Sequence, residues 1–185
     1  MGLIRLRDDD IALARSRSDE DIALSGPWAG QADPLCKRYF DEAKEMGLRV
    51  VEKSSTWLRL SKMSTTYYKE LRLGSGWKEK DIHDQAVILA HELRHARQWR
   101  RYGRTTFRNH YIFHTRWRWA VETQCYCESI RALVALGAAP AVIDKYVDDR
   151  VKALWESYAL GSLHKGDVMT HSRRVLEATY VRAMS

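Results

Sequence analysis

The stretch Ala86-Val-Ile-Leu-Ala-His-Glu-Leu-Arg-His95 decides how this chain of 185 residues is interpreted. Apolar residues recur along it and its flanks with the three- and four-residue spacing of one helix face, which predicts an amphipathic helix. We expect Asp81 to cap this helix and Gly103 to end it after about Tyr102. The apolar stripe consists of Ile82, Ala86, Leu89, Leu93 and Ala96. A second apolar side flanks the two histidines, so we expect the helix to lie between two layers of structure, with its histidines facing an interior cleft.

The five residues from His91 to His95, His-Glu-Leu-Arg-His, have the spacing of a metal site. Side chains four residues apart on a helix lie one above the other, so both imidazoles can bind one zinc ion. Glu92 is rotated by roughly 100° from His91 around the helix, which allows its carboxylate to hold a metal-bound water without being a ligand. The alternative is that both histidines belong to the core and are hydrogen-bonded to backbone or carboxylate groups.

Together with the short strand and glycine turn predicted before it, the segment Ala86–His95 resembles the active-site helix of the zincin metallopeptidases. The resemblance covers about residues 65–130 and is specific only around the motif. It implies a zinc-dependent peptidase whose substrate pairs with an edge strand, for which Thr65–Leu71 is the candidate here. Metzincins carry a glycine and a third histidine after the second ligand. Gln98 and Arg101 stand at those places, so that branch is excluded.

The other branch, the gluzincins or thermolysin-like peptidases, takes its third zinc ligand from a glutamate on the following helix. Glu122 lies 27 positions after His95 in a predicted helix, and no Asp or Glu occurs from Leu93 to Val121. The resemblance therefore implies His91, His95 and Glu122 as the metal ligands, with solvent in the fourth position. Other groups that could reach the third place are His110, His114, Glu128 and Cys125.

The mechanism implied by this resemblance assigns Glu92 as the catalytic base. Zinc lowers the pKa of its bound water and polarises a carbonyl group, while Glu92 takes the proton and returns it to the leaving amine. A hydrogen-bond donor for the oxyanion is needed as well. The candidates for this donor are Tyr126, Tyr158, His164, His171 and Tyr180, and the sequence does not choose among them.

The surrounding pattern predicts an α+β fold, in which a small antiparallel sheet is followed by a mostly helical body around the central HExxH helix, as in zincins. The predicted strands are Leu48–Glu52, Thr56–Leu60 and Thr65–Leu73. The other predicted helices run from Pro34 to about Met46, from Thr115 to Leu136, from Pro140 to about Leu160, and from a cap at Asp167 to the C-terminus.

Two segments of different character divide the chain. Residues 34–185 form the predicted zincin-like metallopeptidase domain, and residues 1–33 form a predicted flexible N-terminal arm. In the arm, Asp9–Leu13 and Glu20–Leu24 each place acidic residues before an Ile-Ala-Leu trio. A solvated tail with two short helical turns accounts for this near-repeat, and an arm that docks on a neighbouring subunit is the alternative. The docking interpretation favours a different function, a structural or assembly subunit of a larger particle, such as a phage virion, that keeps the zincin fold and zinc site.

The chain carries 31 basic and 24 acidic residues, a net charge of +7 that permits an anionic partner without requiring one. Eight arginines lie between positions 94 and 118, with aromatic residues among them. A solvated arginine face over an aromatic core explains them, and a nucleic-acid surface or an acidic protein partner is the alternative. No helix-turn-helix, zinc-finger or RNA-binding signature accompanies these arginines in the sequence.

Cysteine usage and the apolar runs indicate an intracellular protein. The three cysteines, Cys36, Cys125 and Cys127, argue against a disulfide framework and for a reducing compartment. The first residues lack the apolar region of a signal peptide, and the longest apolar run, Ala132–Ile143, is too short to span a bilayer. We therefore expect a cytoplasmic location without a membrane partner, or incorporation in a virion under the assembly interpretation.

Overall fold

Residues 20–21, 30–52, 65–67, 69–158 and 160–185 are described by a computed structural model. Its strands are β1 (Glu20–Asp21), β2 (Arg49–Glu52), β3 (Thr65–Tyr67) and β4 (Glu70–Leu73). Its helices are α1 (Pro34–Glu45), α2 (Ile82–Tyr102), α3 (Arg104–Phe113), α4 (Thr115–Ala135), α5 (Pro140–Ser157) and α6 (Lys165–Met184). Most of the described residues are helical, and the strands form one small sheet. The broad α+β class predicted from the sequence is therefore confirmed.

Local capping chemistry sets the ends of the central helix α2. The Asp81 side chain accepts a hydrogen bond from the Asp84 backbone N–H at 2.9 Å, which starts the helix where the sequence predicts it. Gly103 ends the helix with a φ of 77°, a conformation that glycine adopts without strain. The predicted extent of the HExxH helix is therefore confirmed.

Three features of the other helices differ from the predictions. Helix α6 begins at Lys165, so Asp167, the predicted cap, lies in the first turn, where the helix dipole stabilises a carboxylate. Helix α5 ends at Ser157, before the predicted end near Leu160. Helix α3 is absent from the prediction, because its one buried residue, Phe107, does not produce an apolar stripe.

The sheet is mixed, with the strand order β1-β2-β4-β3. The outer strands β1 and β3 are antiparallel to their neighbours, whereas the central strands β2 and β4 are parallel, with Val50 opposite Leu71. The predicted antiparallel sheet is therefore wrong at its centre. The reason is that residues 65–73, predicted as one strand, form a hairpin, and the chain returns as β4 between β3 and β2. The predicted strand Thr56–Leu60 lies outside the described residues.

Most of the predicted arm, residues 1–33, lies outside the described residues, and with it most of the near-repeat on which the docking interpretation rests. Within the arm, β1 pairs with β2, and Glu20 is opposite Glu52. The backbone N–H of Gly30 donates a hydrogen bond to Oε1 of the buried Gln85 at 2.7 Å. These contacts join part of the segment to the sheet and to α2 of the same chain.

Helix α2 lies between two apolar layers, as predicted, but the second layer is contacted by Val87 and not by the apolar residues that flank the histidines. Its apolar stripe packs against α1 and the sheet, in a core that includes Leu71, Leu73 and Trp77. On another side, Val87 joins a second core built around α4, α5 and α6, which includes Ile130. The packing of α2 along α4 sets the backbone positions from which the candidate site is built.

Replacing the fully buried Leu89 of α2 by alanine should lower the free energy of unfolding by about 2–5 kcal/mol, because its burial is lost and a cavity remains. The control is Val181→Ala, at a position on α6 that is 67% exposed, which should change this free energy by less than about 0.5 kcal/mol. Urea denaturation followed by circular dichroism measures both. Equally small effects would contradict the position of α2 between two layers.

Glu70, the first residue of β4, forms ion pairs with Arg49 and Arg72. Burial raises the pKa of Glu70, but the hydrogen bonds and charges of the two arginines outweigh burial and hold the pKa below its ordinary value of 4.5. A lowered pKa in the folded state contributes stability above the ordinary pKa, and this stability is lost as the pH falls through the folded-state pKa.

Glu70→Gln should therefore lower the free energy of unfolding by about 1 kcal/mol near neutral pH, and by less in acid below the folded-state pKa of Glu70. Urea titrations of the wild type and of this variant, at a neutral and at an acidic pH, measure the difference. The same loss at both pH values would show that the ion pairs do not contribute.

Candidate metal centre

Helices α2 and α4 bring three side chains of the predicted site together. His91 and His95 lie one turn apart on α2, with ring centroids separated by 5.0 Å, and Glu122 faces them from α4. Nε2 of His91 is 3.4 Å from Glu122 Oε2, and Nε2 of His95 is 3.3 Å from Glu122 Oε1. Both imidazoles are largely buried, and only 1% of the Glu122 side chain is exposed.

The buried Glu122 carboxylate keeps one oxygen without a hydrogen-bond partner. The Tyr111 hydroxyl donates to Oε1 at 2.5 Å, whereas Oε2 receives no hydrogen bond within the described structure. A buried polar atom that is left unsatisfied destabilises a protein, so such an atom requires an explanation. Oε2 faces the ring nitrogen of His91, and a cation bound between the carboxylate and the imidazoles would satisfy it.

The electrostatics of the site favour positive charge. Burial raises the pKa of Glu122, but the adjacent His95 and His91 outweigh burial and hold this pKa well below its ordinary value. Burial lowers the pKa of His95, but the Cys125 sulfur and the Glu122 carboxylate outweigh burial and raise this pKa well above its ordinary value. An ionised carboxylate therefore occupies the point where an imidazolium or a metal cation is stabilised.

Gln98 holds the second ring nitrogen of His95. Nε2 of Gln98 donates to the Val121 backbone oxygen at 3.1 Å and to Gln124 Oε1 at 3.2 Å. These bonds orient the amide so that its Oε1 faces Nδ1 of His95 at 3.1 Å. Because an amide oxygen only accepts, Nδ1 carries the hydrogen in the neutral ring, and Nε2 presents its lone pair toward Glu122.

A second set of donor atoms shares both histidines. Ligand atoms of His91, His95 and Cys125 all lie within 4.8 Å of one another, so this group could hold a metal ion. Cys125 Sγ is 3.4 Å from Nδ1 of His95, the nitrogen that Gln98 also contacts. Burial raises the pKa of the Cys125 thiol to about 11. A thiol binds metal as a thiolate, so metal binding by Cys125 requires the loss of this proton.

The other rivals for the third ligand lie away from the α2 histidines. His110 and His114 stack on each other, with ring centroids separated by 4.8 Å. Glu128 forms an ion pair with Arg131 at 2.8 Å. None of these three rivals lines the cleft beside the candidate metal ligands.

Glu92, the predicted catalytic base, borders the same cleft and is 5% exposed. Thr66 of strand β3 contacts it, because Thr66 Oγ1 is 2.7 Å from the Glu92 backbone oxygen and 3.0 Å from its Oε2. A hydroxyl has one hydrogen, so Thr66 donates to one of these oxygens at a time. The contact places the edge strand and the predicted catalytic carboxylate on the same cleft.

The cleft has a volume of about 250 Å³. The apolar part of its wall is formed by Trp99, Phe107 and Ile112. Phe107 stacks on Trp99, with ring centroids separated by 5.2 Å, so the wall is built from packed rings of α2 and α3. The chemically active groups thus lie at the polar end of a mainly apolar cleft, which is the usual character of a small ligand site.

Of the five candidate oxyanion donors, Tyr158 is the one that lines this cleft. Its hydroxyl is 2.9 Å from the hydroxyl of Tyr126, which stands behind it. The Tyr126 ring also packs on His91, with ring centroids separated by 4.8 Å. The candidates that do not line the cleft are Tyr126, His164, His171 and Tyr180.

Several groups that shape the site carry no sequence signature. Tyr111 comes from α3, the helix that periodicity does not identify. Arg118 donates to the backbone oxygens of Tyr111 at 2.6 Å and of Tyr158 at 2.8 Å, and so holds two parts of the cleft wall together. Gln98 is different, because its position three residues after His95 on a helix is a signal that predicts their contact.

The sequence and the structure were compared with known protein families, curated proteins and solved structures. No family model matches the chain, and no curated protein or solved structure matches it significantly. The resemblance to zincins therefore rests on the HExxH motif and the position of Glu122 in the sequence. In the part of the chain that the structure describes, no helix combines the length and the apolar character needed to cross a membrane.

Tyr111→Phe should weaken metal binding, because it keeps the ring but removes the donor to Glu122 Oε1. With zinc as the probe, we expect the affinity to fall about 10–100-fold, as measured by competition with a chelator near neutral pH. Tyr102→Phe, at a position on α2 that is 38% exposed, is the control and should leave the affinity unchanged. An unchanged affinity in Tyr111→Phe would show that the carboxylate is positioned without this bond.

Proposed function

We propose that this protein is a zinc-dependent peptidase of the zincin type, with His91, His95 and Glu122 as its metal ligands. The observation that carries the proposal is the buried Glu122 carboxylate, whose oxygens stand 3.4 Å and 3.3 Å from the Nε2 atoms of the two histidines. Two ligand atoms at about 2.1 Å from a tetrahedral zinc ion are about 3.4 Å apart, whereas a direct N–H···O bond is about 2.9 Å long. The 3.4 Å between His91 Nε2 and Oε2, the oxygen without a hydrogen-bond partner, supports a pair of metal ligands over a direct hydrogen bond.

The chemistry of the donor atoms supports zinc as the metal. Two imidazoles and a carboxylate are the ligands that thermolysin-like catalytic zinc sites use. Gln98 holds the His95 ring from behind, and Tyr111 holds the Glu122 carboxylate, which are the outer contacts that orient metal ligands. Glu122 lines the cleft, and its unpartnered Oε2 is available as the third donor atom.

The proposed mechanism assigns the proton transfers to Glu92. Zinc held by these ligands supplies a Lewis acid that lowers the pKa of water and polarises a peptide carbonyl. The Glu92 carboxylate accepts a proton from the attacking water and later donates it to the leaving amine. Thr66 hydrogen-bonds to Glu92 and orients this carboxylate along the cleft. The low exposure of Glu92 keeps competing solvent away from the proton.

The substrate backbone is held by the edge strand in this proposal. Among the described strands, β3 pairs with β4 alone, so its other edge can pair with an extended peptide. Tyr158 is the proposed oxyanion donor, because it is the candidate that lines the cleft, and its hydroxyl contacts the Tyr126 hydroxyl. The rings of Trp99 and Phe107 provide an apolar wall for substrate side chains.

Substitutions in the site separate metal binding from catalysis. Glu92→Gln should keep about one zinc ion per chain and lower kcat/KM for peptides by about 10²–10⁴-fold, because the ligands remain and the proton acceptor is lost. Glu122→Ala should lose the zinc, whereas Cys125→Ala should keep it. Elemental analysis after purification without chelators, and cleavage of a mixed library of internally quenched peptides, are the two measurements.

The control is Glu128→Gln, on the same helix as Glu122 but paired with Arg131 outside the cleft, which should keep both zinc and activity. Unchanged cleavage by Glu92→Gln would sink the peptidase assignment. If Cys125→Ala loses zinc and Glu122→Ala keeps it, the third ligand is Cys125 and not Glu122. If the wild-type protein binds no zinc, His91 and His95 are hydrogen-bonded residues of the core and not metal ligands.

A further inference from the structure

A second cavity, of about 200 Å³, adjoins the metal cleft. The two cavities share Thr66 and Trp99 in their linings. A peptide bound along β3 beside the candidate metal ligands would therefore extend into the second cavity. Part of the second lining is apolar and includes Leu48. The rest includes Arg100, near the end of α2, and Arg104, at the start of α3.

Positive and negative charges are separated along these two cavities. Arg100 and Arg104 are exposed in the second cavity, and Arg108 adds a third arginine in the wall of the metal cleft. Among the described residues, the carboxylates that line either cavity are Glu92 and Glu122, both at the candidate metal centre. Within the described part of the chain, the lining of the second cavity is therefore basic and holds no carboxylate.

Two neighbouring arginines on α2, Arg94 and Arg97, have structural partners. Arg94 donates to Gln124 Oε1 at 2.8 Å, and Arg97 forms two hydrogen bonds, of 2.6 Å and 2.7 Å, with the Glu42 carboxylate. Arg100, in contrast, makes no hydrogen bond or ion pair with any residue that the structure describes. A guanidinium that lines a cavity without such a partner is available to a ligand.

We propose that the second cavity is a substrate subsite for an acidic side chain, so that the enzyme prefers acidic peptides. This inference rests on the peptidase function proposed for the adjoining cleft. A glutamate or aspartate near the cleaved bond places its carboxylate against Arg100, whose planar group binds carboxylates with paired N–H donors, and the positive charge of Arg104 adds to the attraction. Thr66 borders both cavities, so the strand that holds the substrate backbone also aligns this side chain.

The shape of the subsite favours a peptide over a nucleic acid. A single nucleic-acid strand is bound by a long basic groove with aromatic rings exposed for stacking. Here the basic groups line a small cavity beside a strand edge, and the ring of Trp99 is already stacked on Phe107. Backbone pairing along β3 suits an extended peptide.

The test uses two libraries of internally quenched peptides that are identical except that every glutamate of one is a glutamine in the other. The zinc-loaded wild type should cleave the glutamate library about tenfold more efficiently. The double variant Arg100→Gln/Arg104→Gln should lose this preference and cleave the two libraries with equal efficiency. Arg116→Gln, at an exposed position on α4 that lines neither cavity, is the control and should keep the preference.

Two outcomes overturn the subsite and leave the peptidase function standing. In the first, the preference persists in the double variant. In the second, the wild type cleaves the glutamine library as efficiently as the glutamate library. Matching thermal unfolding curves for the double variant and the wild type ensure that a lost preference does not arise from misfolding.

Cleavage of neither library would contradict the proposed function, and peptide binding then decides the subsite. Labelled glutamate peptides should bind the wild type more tightly than glutamine peptides do, and the double variant should bind both alike, as measured by fluorescence anisotropy. Equal binding of both peptides to the wild type overturns the subsite. The subsite is also overturned if a single-stranded oligonucleotide of the same charge displaces the labelled glutamate peptide at a lower concentration than the unlabelled glutamate peptide does.

Discussion

The burial of the Glu122 carboxylate against two imidazoles constrains the site and the helices around it. An ionised carboxylate that is removed from water destabilises a protein unless neighbouring groups compensate its charge. His91 and His95 do so from α2, and the Tyr111 hydroxyl does so from α3, so three helices must meet where Glu122 projects from α4. The oxygen that remains unpartnered makes this cluster a candidate for metal binding rather than a closed part of the core.

The groups that face the cleft are held by contacts from other elements. Gln98 links His95 to the backbone of α4, and Thr66 links the edge strand to Glu92. Arg118 donates to the backbone oxygens of Tyr111 and Tyr158, and so holds together two segments of the cleft wall that are distant in the sequence. Such outer contacts restrict the positions of the side chains that face the cleft, and they explain why polar side chains accumulate in an otherwise apolar cleft.

The arginines between positions 94 and 118 have two kinds of surroundings in the folded chain. Its long acid-free interval in the sequence is consistent with a solvated basic face, yet the side chains differ in their surroundings. Arg94, Arg97 and Arg118 bond to other parts of the protein, whereas Arg100 lines a cavity next to the candidate metal centre. The described structure thus places a compact basic region beside a buried carboxylate.

The sequence by itself determined the HExxH helix, its cap at Asp81, its end at Gly103 and its two apolar sides, because these depend on residues within a few positions of one another. The sequence also indicated Glu122 as a ligand, through its spacing and the resemblance to zincins, but it did not contain the contact between Glu122 and the two histidines. Only the tertiary structure decided the parallel centre of the sheet, the position of Tyr111 beside Glu122 and the place of Tyr158 in the cleft. These contacts join residues that are distant in the chain, and they depend on how whole apolar faces pack together, which no local pattern of residues contains.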